Sequence, residues 1–412
     1  MIIRLLFLSL LAFAETAWAL EPMNPLGLLP TEIARPLLAK DPGVTAAQSG
    51  LEVAQQEADI LDKSSYEWTA KLSSQRRTVQ NASRYGEWNI GIERPIRLPG
   101  KAAADRRRGE ATIEGAEAAY GEALHEAARE LLALWVDWLV AERAYELTTS
   151  NQQSVQESLA AVEKRSRAGD ASKLDMNVAR AELAEQRRMN NDARTQAAVA
   201  WSRLSTRFPG ITRQIAPLPL AAPLGEDFAF WRERILAQSD ELKIVQTQLQ
   251  KAEALADHAR ADKIPDPTLG LYSASEIGGR ERISGFTISI PIPGGVRDSR
   301  RNKAIADVEV LRQQVELRKR QLETEIAAAV ALAEGAYESL QIAKEGAAAM
   351  QDNAALMQRA YALGEAELQS LLLARRQATS AVNNSLQAQA VALKASYGLL
   401  VDAHLIWDLE HE

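Results

Sequence analysis

Four histidines, His125, His258, His404 and His411, and no cysteine make up the imidazole and thiolate metal-ligand inventory of the chain. The histidines show no paired ligand spacing, and thiolates are absent, so the sequence points to no metal site. It also lacks a nucleophile elbow, a phosphate loop and a dinucleotide fingerprint, so neither an enzyme nor a cofactor is expected. Disulfides, thiol chemistry and an acylated amino-terminal cysteine are excluded. What remains is charge. Lys101 with Arg106, Arg107 and Arg108, and Arg297 with Arg300, Arg301 and Lys303, form two basic clusters that recur at corresponding places in the two halves. Positive charge near a helix start is mildly unfavourable, so each cluster calls for a partner: lipid phosphate if a membrane lies beside it, or water along a solvated helix face. A net charge of -7 argues against nucleic acid as that partner.

The elements that position these groups occur twice. Pro99-Gly100 recurs as Pro293-Gly294, 194 residues on, and Gly169-Asp170 as Gly364-Glu365, 195 residues on; Ala179-Arg180 and Ala374-Arg375 stand equally far past the two turn glycines. Such constant offsets indicate duplication of one large unit. The intervals 100–208 and 294–412 contain no proline, so only there can very long helices run. Each is broken once, at Gly169 or Gly364, where glycine closes one helix and an acidic residue favours the next. A run from Gly100 to Ala168 would be about 100 Å long at 1.5 Å per residue. Shorter helical patterns at 43–66 and 239–264, stacked end to end on the return arms 170–208 and 365–404, match that length in each half. Apolar spacings of three and four, as in Leu131, Leu134, Trp135, Trp138 and Leu139, fit a coiled-coil rod.

Between the short and long helices the period changes to two. Trp68, Ala70 and Leu72 alternate with Thr69, Lys71 and Ser73, and Trp88, Ile90 and Ile92 with Asn89, Gly91 and Glu93; Leu269, Leu271, Phe286, Ile288 and Ile290 repeat the pattern around a Gly278-Gly279 turn. Strands of about 9–11 residues cross a bilayer when tilted, although a half-buried soluble sheet alternates in the same way. Four strands close no barrel alone, and lipid tolerates no open edge, so a membrane sheet would need several chains. At the amino terminus, Arg4, the apolar stretch Leu5–Phe13 and Ala17-Trp18-Ala19 read as a secretory signal, with the mature chain starting near Leu20; an uncleaved inner-membrane anchor is the alternative. The expected organisation is a signal at 1–19, an extended segment 20–42, and a first repeat 43–208 with its hairpin at 67–96. A linker and equatorial region at 209–238, a second repeat 239–404 with its hairpin at 267–293, and a tail 405–412 follow.

The signal, the duplicated hairpins, the nested strand hairpins and the Gly-acidic turns together resemble the TolC family of outer-membrane efflux channels over essentially the whole mature chain. Arg94-Pro95-Ile96-Arg97-Leu98-Pro99-Gly100-Lys101 and Ile288-Ser289-Ile290-Pro291-Ile292-Pro293 look like junctions of its CzcC-like branch, which serves heavy-metal cation efflux. The resemblance implies a mainly α protein with a small β part. Long coiled-coil hairpins and four strands per chain would trimerise into a 12-stranded β-barrel continuous with a 12-helix α-barrel. It implies an outer-membrane exit duct with a periplasmic adaptor (membrane fusion) protein, an inner-membrane pump of the RND type and outer-membrane lipid as partners. A periplasmic gate would join Asp175 to Tyr361, with Ala366, Ser370 and Leu373 where the best-known pattern has basic or acidic residues. Adaptor hairpins would dock on the turns, at Gly169, Asp170, Leu174, Gly364, Glu365 and Leu368. Drug efflux, type I secretion and a poreless periplasmic scaffold are the alternatives.

Overall fold

The computed structural model describes residues 27–78, 80, 84–407 and 409; the signal segment, the tip of the first strand hairpin and His411 lie outside them. A short α1 (Thr31–Ala39) leads into the first repeat: α2 (Pro42–Lys63), β1 (Thr69–Thr78), β2 (Arg84–Pro95), α3 (Pro99–Ala168) and α4 (Lys173–Arg207). After α5 (Phe228–Gln238) the order recurs as α6 (Asp240–Ala261), β3 (Thr268–Glu276), β4 (Glu281–Ser289), α7 (Gly295–Leu363) and α8 (Leu368–Asp402).

The two long helices have 70 and 69 residues, about 105 Å at 1.5 Å per residue. Pro99 sits at the first position of α3, where its missing N–H costs nothing. Both long helices end in the same hydrogen-bonded motif. Gly169 at φ 89° lets its N–H reach Ser166 O and the Asp170 N–H reach Arg165 O; Gly364 at φ 79° does the same toward Tyr361 and Ala360. A Cβ-bearing residue would be strained at either glycine. The chain then turns sharply and α4 or α8 returns along its long partner.

Short and return helices meet end to end on the long helix. In the first repeat Arg207, the last residue of α4, pairs with Asp41, the N-cap of α2, and its Nε reaches Glu130 of α3 at 2.8 Å. In the second, Arg318 of α7 pairs with Glu241 of α6, and Arg129 of α3 pairs with Asp402 at the end of α8 at 2.7 Å. These two joints lie where the main core sits, around Leu131, Trp135, Trp138 and Leu139 of α3, Trp231 and Ile235 of α5, and Leu399 and Val401 of α8. Elsewhere many of the buried residues of the hairpins are alanines such as Ala104, Ala111, Ala118, Ala193 and Ala197, which let helices approach closely. Gly109 does the same against Ala58, where an added Cβ would stand 3.1 Å from Ala58 Cα.

Two expectations need correction. The segment 20–42 is not extended throughout: α1 forms despite Pro36, because an amphipathic turn buries Ala34, Leu37 and Leu38 in the equatorial core. Among the described residues of the tail, Leu405, Ile406, Trp407 and Leu409 are buried core, and Trp407 Nε1 donates to Leu29 O at 2.8 Å. The linker and equatorial region 209–238 contains α5, whose Trp231 and Ile235 are core residues.

All four strands form one antiparallel sheet in the order β1-β2-β3-β4. The register aligns Ala70, Ile92, Leu271 and Phe286 in one row and Arg94, Leu269 and Ile288 in the next. Thr69, Glu93, Gly270 and Thr287, then Lys71, Gly91, Tyr272 and Gly285, form the alternate rows. Because successive side chains point to opposite faces, one face is apolar and the other is small or polar.

Candidate functional site

The apolar face is uncovered. Leu72 is 78% exposed and Phe286 75%, with Trp88, Ile90, Ile92, Leu271 and Ile288 also exposed. Contiguous apolar surface of this kind on a sheet marks contact with lipid or with another chain. Its lower edge carries Trp68, with the Arg94 guanidinium 5.7 Å from the ring centroid, an amphipathic pair suited to a membrane boundary. The opposite face carries charge: Lys71 pairs with Glu93 at 2.6 Å, and Arg77 joins Glu87 at 2.6 Å to Glu276 at 2.7 Å. Tyr272 lies over Gly285, where a Cβ would come within 2.8 Å of its ring. Beta strands of 9 to 12 residues have the length to cross a bilayer. Among the described residues, no helix is long and apolar enough to do so.

Beneath the sheet the strand-to-helix junctions converge on two aspartates. Lys101 reaches Asp262 at 2.6 Å and Asp266 at 3.1 Å, Arg297 also pairs with Asp262, and the Tyr66 hydroxyl donates to Asp266 Oδ2 at 2.6 Å. The hydrogen bond to Asp266, helped by burial, pushes the Tyr66 phenol up to about 12. Burial acts to raise both aspartates, but hydrogen bonds and charge outweigh it and hold them below their ordinary range: Lys101 and Arg297 at Asp262, and Tyr66, the Leu98 N–H and Lys101 at Asp266. The junction therefore fastens the start of α3 to the end of α6, tying the two repeats together where sheet gives way to helix.

This geometry corrects one expected role. Lys101 is only 2% exposed and already holds two carboxylates, so it is not placed to meet lipid phosphate. Its position in the α3 sequence gave no sign of Asp262 and Asp266, which come from the other repeat. Of the remaining basic residues, Arg107 pairs with Asp257 at 2.8 Å, Arg301 with Asp298 at 3.3 Å and Lys303 with Asp307 at 2.6 Å. Arg106 and Arg300 lie on exposed helix surface.

At the far end of the hairpins, Asp175 closes a capping box: its Oδ2 accepts from the Ser172 N–H at 3.1 Å and hydroxyl at 2.8 Å, while Ser172 Oγ accepts from the Asp175 N–H at 3.0 Å. Tyr361 packs with a small cluster around Val162, Ala179, Leu368 and Leu372, and Arg165 stands 5.4 Å from its ring centroid. The hydrogen bonds of the described residues do not join Asp175 to Tyr361. Leu174 and Leu363 are exposed at the tips, whereas Leu368 is buried in that cluster and presents no docking surface here.

The structure also brings together residues that the sequence gave no reason to group. His125 of α3, Asp240 at the start of α6 and His404 just beyond α8 meet at the second equatorial joint, all buried. The separations of 115 and 164 residues hide this grouping from any motif search.

The sequence profile of outer membrane efflux proteins matches residues 34–207 and 231–400, both repeats almost in full. The chain belongs to the outer membrane efflux protein family. Solved channel structures share its fold. The outer-membrane channel OprN is 19% identical with a TM-score of 0.78, covering 92% of this chain and 90% of its own. The Campylobacter jejuni CmeC outer membrane channel is 15% identical at a TM-score of 0.76, covering 96% and 92%. CusC is 17% identical at 0.75, covering 93% and 97%. Among curated protein sequences, none matches the chain. As an outer membrane efflux protein, the chain has its sheet in the outer membrane and its helical hairpins in the periplasm.

Proposed function

We propose that three copies form an exit duct that passively conducts substrate out of the cell, fed by a periplasmic adaptor and an inner-membrane pump of the RND type. The observation that carries this reading is the sheet: apolar on one face, small and charged on the other, and open at β1 and β4. Lipid tolerates no unpaired strand edge, so β1 of one copy must pair with β4 of the next until the sheet closes. Three copies give twelve strands, with the Lys71–Glu93 and Arg77–Glu87–Glu276 face lining the lumen. The helices support the same assembly. Val310, Leu317, Leu332, Ile342 and Leu356 of α7 are exposed and fall on one side of the helix at 100° per residue, a stripe for a neighbouring copy. The poreless scaffold has no use for a two-faced sheet.

Heavy-metal cations are the proposed substrate class, on the resemblance of the Arg94–Lys101 and Ile288–Pro293 junctions to the CzcC-like branch. The turns would be the adaptor-docking end, through Gly169, Asp170, Leu174, Gly364 and Glu365, and Asp175 and Tyr361 would belong to the gate. Of the basic clusters, Arg106, Arg107, Arg300 and Lys303 are the residues whose exposure suits lipid phosphate. Assembly is testable because the chain has no native cysteine. Pairs of cysteines scanned along β1 and β4 should give oxidised dimers and trimers in the outer-membrane fraction and nothing larger. Failure to cross-link in every register, or ladders beyond the trimer, would exclude the closed duct.

A further inference from the structure

We propose that His125, Asp240 and His404 form a binding site for one divalent transition-metal ion, of the zinc or cobalt kind, resident in each chain. One potential ligand atom from each residue lies within 4.8 Å of the other two. The imidazole rings stand 4.2 Å apart between centroids at 61°. A tetrahedral site with bonds of about 2.0–2.1 Å separates its ligands by roughly 3.4 Å, so small side-chain rotations close the three atoms around an ion. Two imidazoles and one carboxylate, with no thiolate, suit Zn²⁺ or Co²⁺ and leave a fourth position for water.

The carboxylate carries the strongest sign of a cation site. Asp240 is 1% exposed; its Oδ1 accepts from Lys243 Nζ at 2.9 Å, while its Oδ2 is buried with no hydrogen-bond partner among the described residues. A buried acceptor in that state is costly, and a coordinated ion would satisfy it. Lys243 then acts as the outer group that fixes the ligand's orientation. Nearby charge is compatible with an ion. Arg129, one turn along α3 from His125, is held by Asp402 at 2.7 Å and Glu122 at 3.1 Å. A cleft of about 280 Å³ bordered by Glu122, Arg129, Glu241, Glu325 and Asp402 opens at His125, its carboxylates paired with Arg129 and Arg318. It gives a hydrated cation a polar path to the His125 imidazole.

The site has a mechanical place in the fold. Its ligands come from α3, from the first residue of α6 and from the turn beyond α8, where His404 adopts φ 56°. In the first repeat the corresponding joint is closed by the Asp41–Arg207–Glu130 ion pairs. In the second, a metal ion would fasten the two helix ends to the first repeat's long helix. It is a staple, independent of whatever the duct conducts.

The test uses the full processed protein, purified in detergent and stripped with a chelator, with Zn²⁺ and Co²⁺ alone as probes. Equilibrium dialysis with elemental analysis should find one zinc per chain, Co²⁺ should give visible bands of a four-coordinate nitrogen and oxygen site, and Zn²⁺ should raise the melting temperature. Asp240→Asn and His404→Gln should each weaken uptake at least tenfold and abolish the thermal shift, while His258→Gln, away from the cluster, should change neither. Cobalt spectra of the unaltered protein stand even where a variant fails to fold. Zinc uptake unchanged in Asp240→Asn and His404→Gln, or folded unaltered protein that takes up no zinc and gives no cobalt bands, would overturn the assignment.

Discussion

Replacing Lys101 with methionine removes the ammonium but keeps most of the buried stem. The residue is 2% exposed and bonds Asp262 at 2.6 Å and Asp266 at 3.1 Å. Breaking one partner out of a buried ion pair costs about 3–5 kcal/mol, because a charge is left behind without compensation. Here the cost is smaller, since Asp262 keeps Arg297 and Asp266 keeps the Tyr66 hydroxyl and the Leu98 N–H. About 2–3 kcal/mol is expected. The comparison is Lys303→Met, which breaks an equally short pair with Asp307 at 2.6 Å whose side chains are 76% and 51% exposed. An exposed pair is worth under about 1 kcal/mol, so that variant should be nearly silent. Adding Asp266→Asn to Lys101→Met should recover part of the loss, because the charge that Lys101 leaves uncompensated is removed. The pH dependence has a definite sign. The folded pKa of both aspartates is below the ordinary 3.8, so their contribution is present above that value and is lost as pH falls through the lowered folded values. Without Lys101 the folded values rise and the acid transition moves up in pH. Guanidinium denaturation in detergent, followed by circular dichroism from pH 7 to about pH 2, measures all of this. Equal losses for Lys101→Met and Lys303→Met, or an unmoved acid transition, would refute the junction as described.

Tyr66→Phe should cost about 1.5–3 kcal/mol, the range for a hydrogen bond to a charged group. Because the folded phenol is pushed up to about 12, its contribution is intact below pH 10 and is lost as pH rises through 12; the late-titrating tyrosinate absorbance should vanish in the variant. Gly169→Ala and Gly364→Ala each force a Cβ into left-handed backbone and should cost about 1–2 kcal/mol, read by thermal melting of the purified trimer. Leu174→Ser with Leu363→Ser, both exposed at the tips, should leave stability within about 0.5 kcal/mol while weakening adaptor capture in a pull-down of purified partners.

The sequence made the repeating frame legible through a few strong local rules. Proline exclusion marked the two long helices, glycine at left-handed backbone marked their turns, and the alternation at Trp88, Ile90 and Ile92 marked a sheet with unlike faces. Those signals are local. The equator was harder to read because its logic is tertiary: α1 tolerates Pro36 because Leu37 and Leu38 are buried, and the last residues look like a tail until Trp407 is seen donating to Leu29. Lys101 suffered from the same limit. Its neighbours in sequence are basic, and its two acidic partners come from the other repeat, more than 160 residues away. Nor could spacing group His125, Asp240 and His404. Asp175 illustrates a residue with two possible duties, since the capping box that it makes with Ser172 is sufficient reason for a carboxylate there.

Single-channel recording of the purified protein in planar lipid bilayers, with the unaltered sequence beside Asp175→Ala plus Tyr361→Phe, decides whether the chains form a duct. A duct gives discrete, mostly closed currents that grow larger or longer in the double variant; folded trimers that insert and pass no current in either form would rule it out.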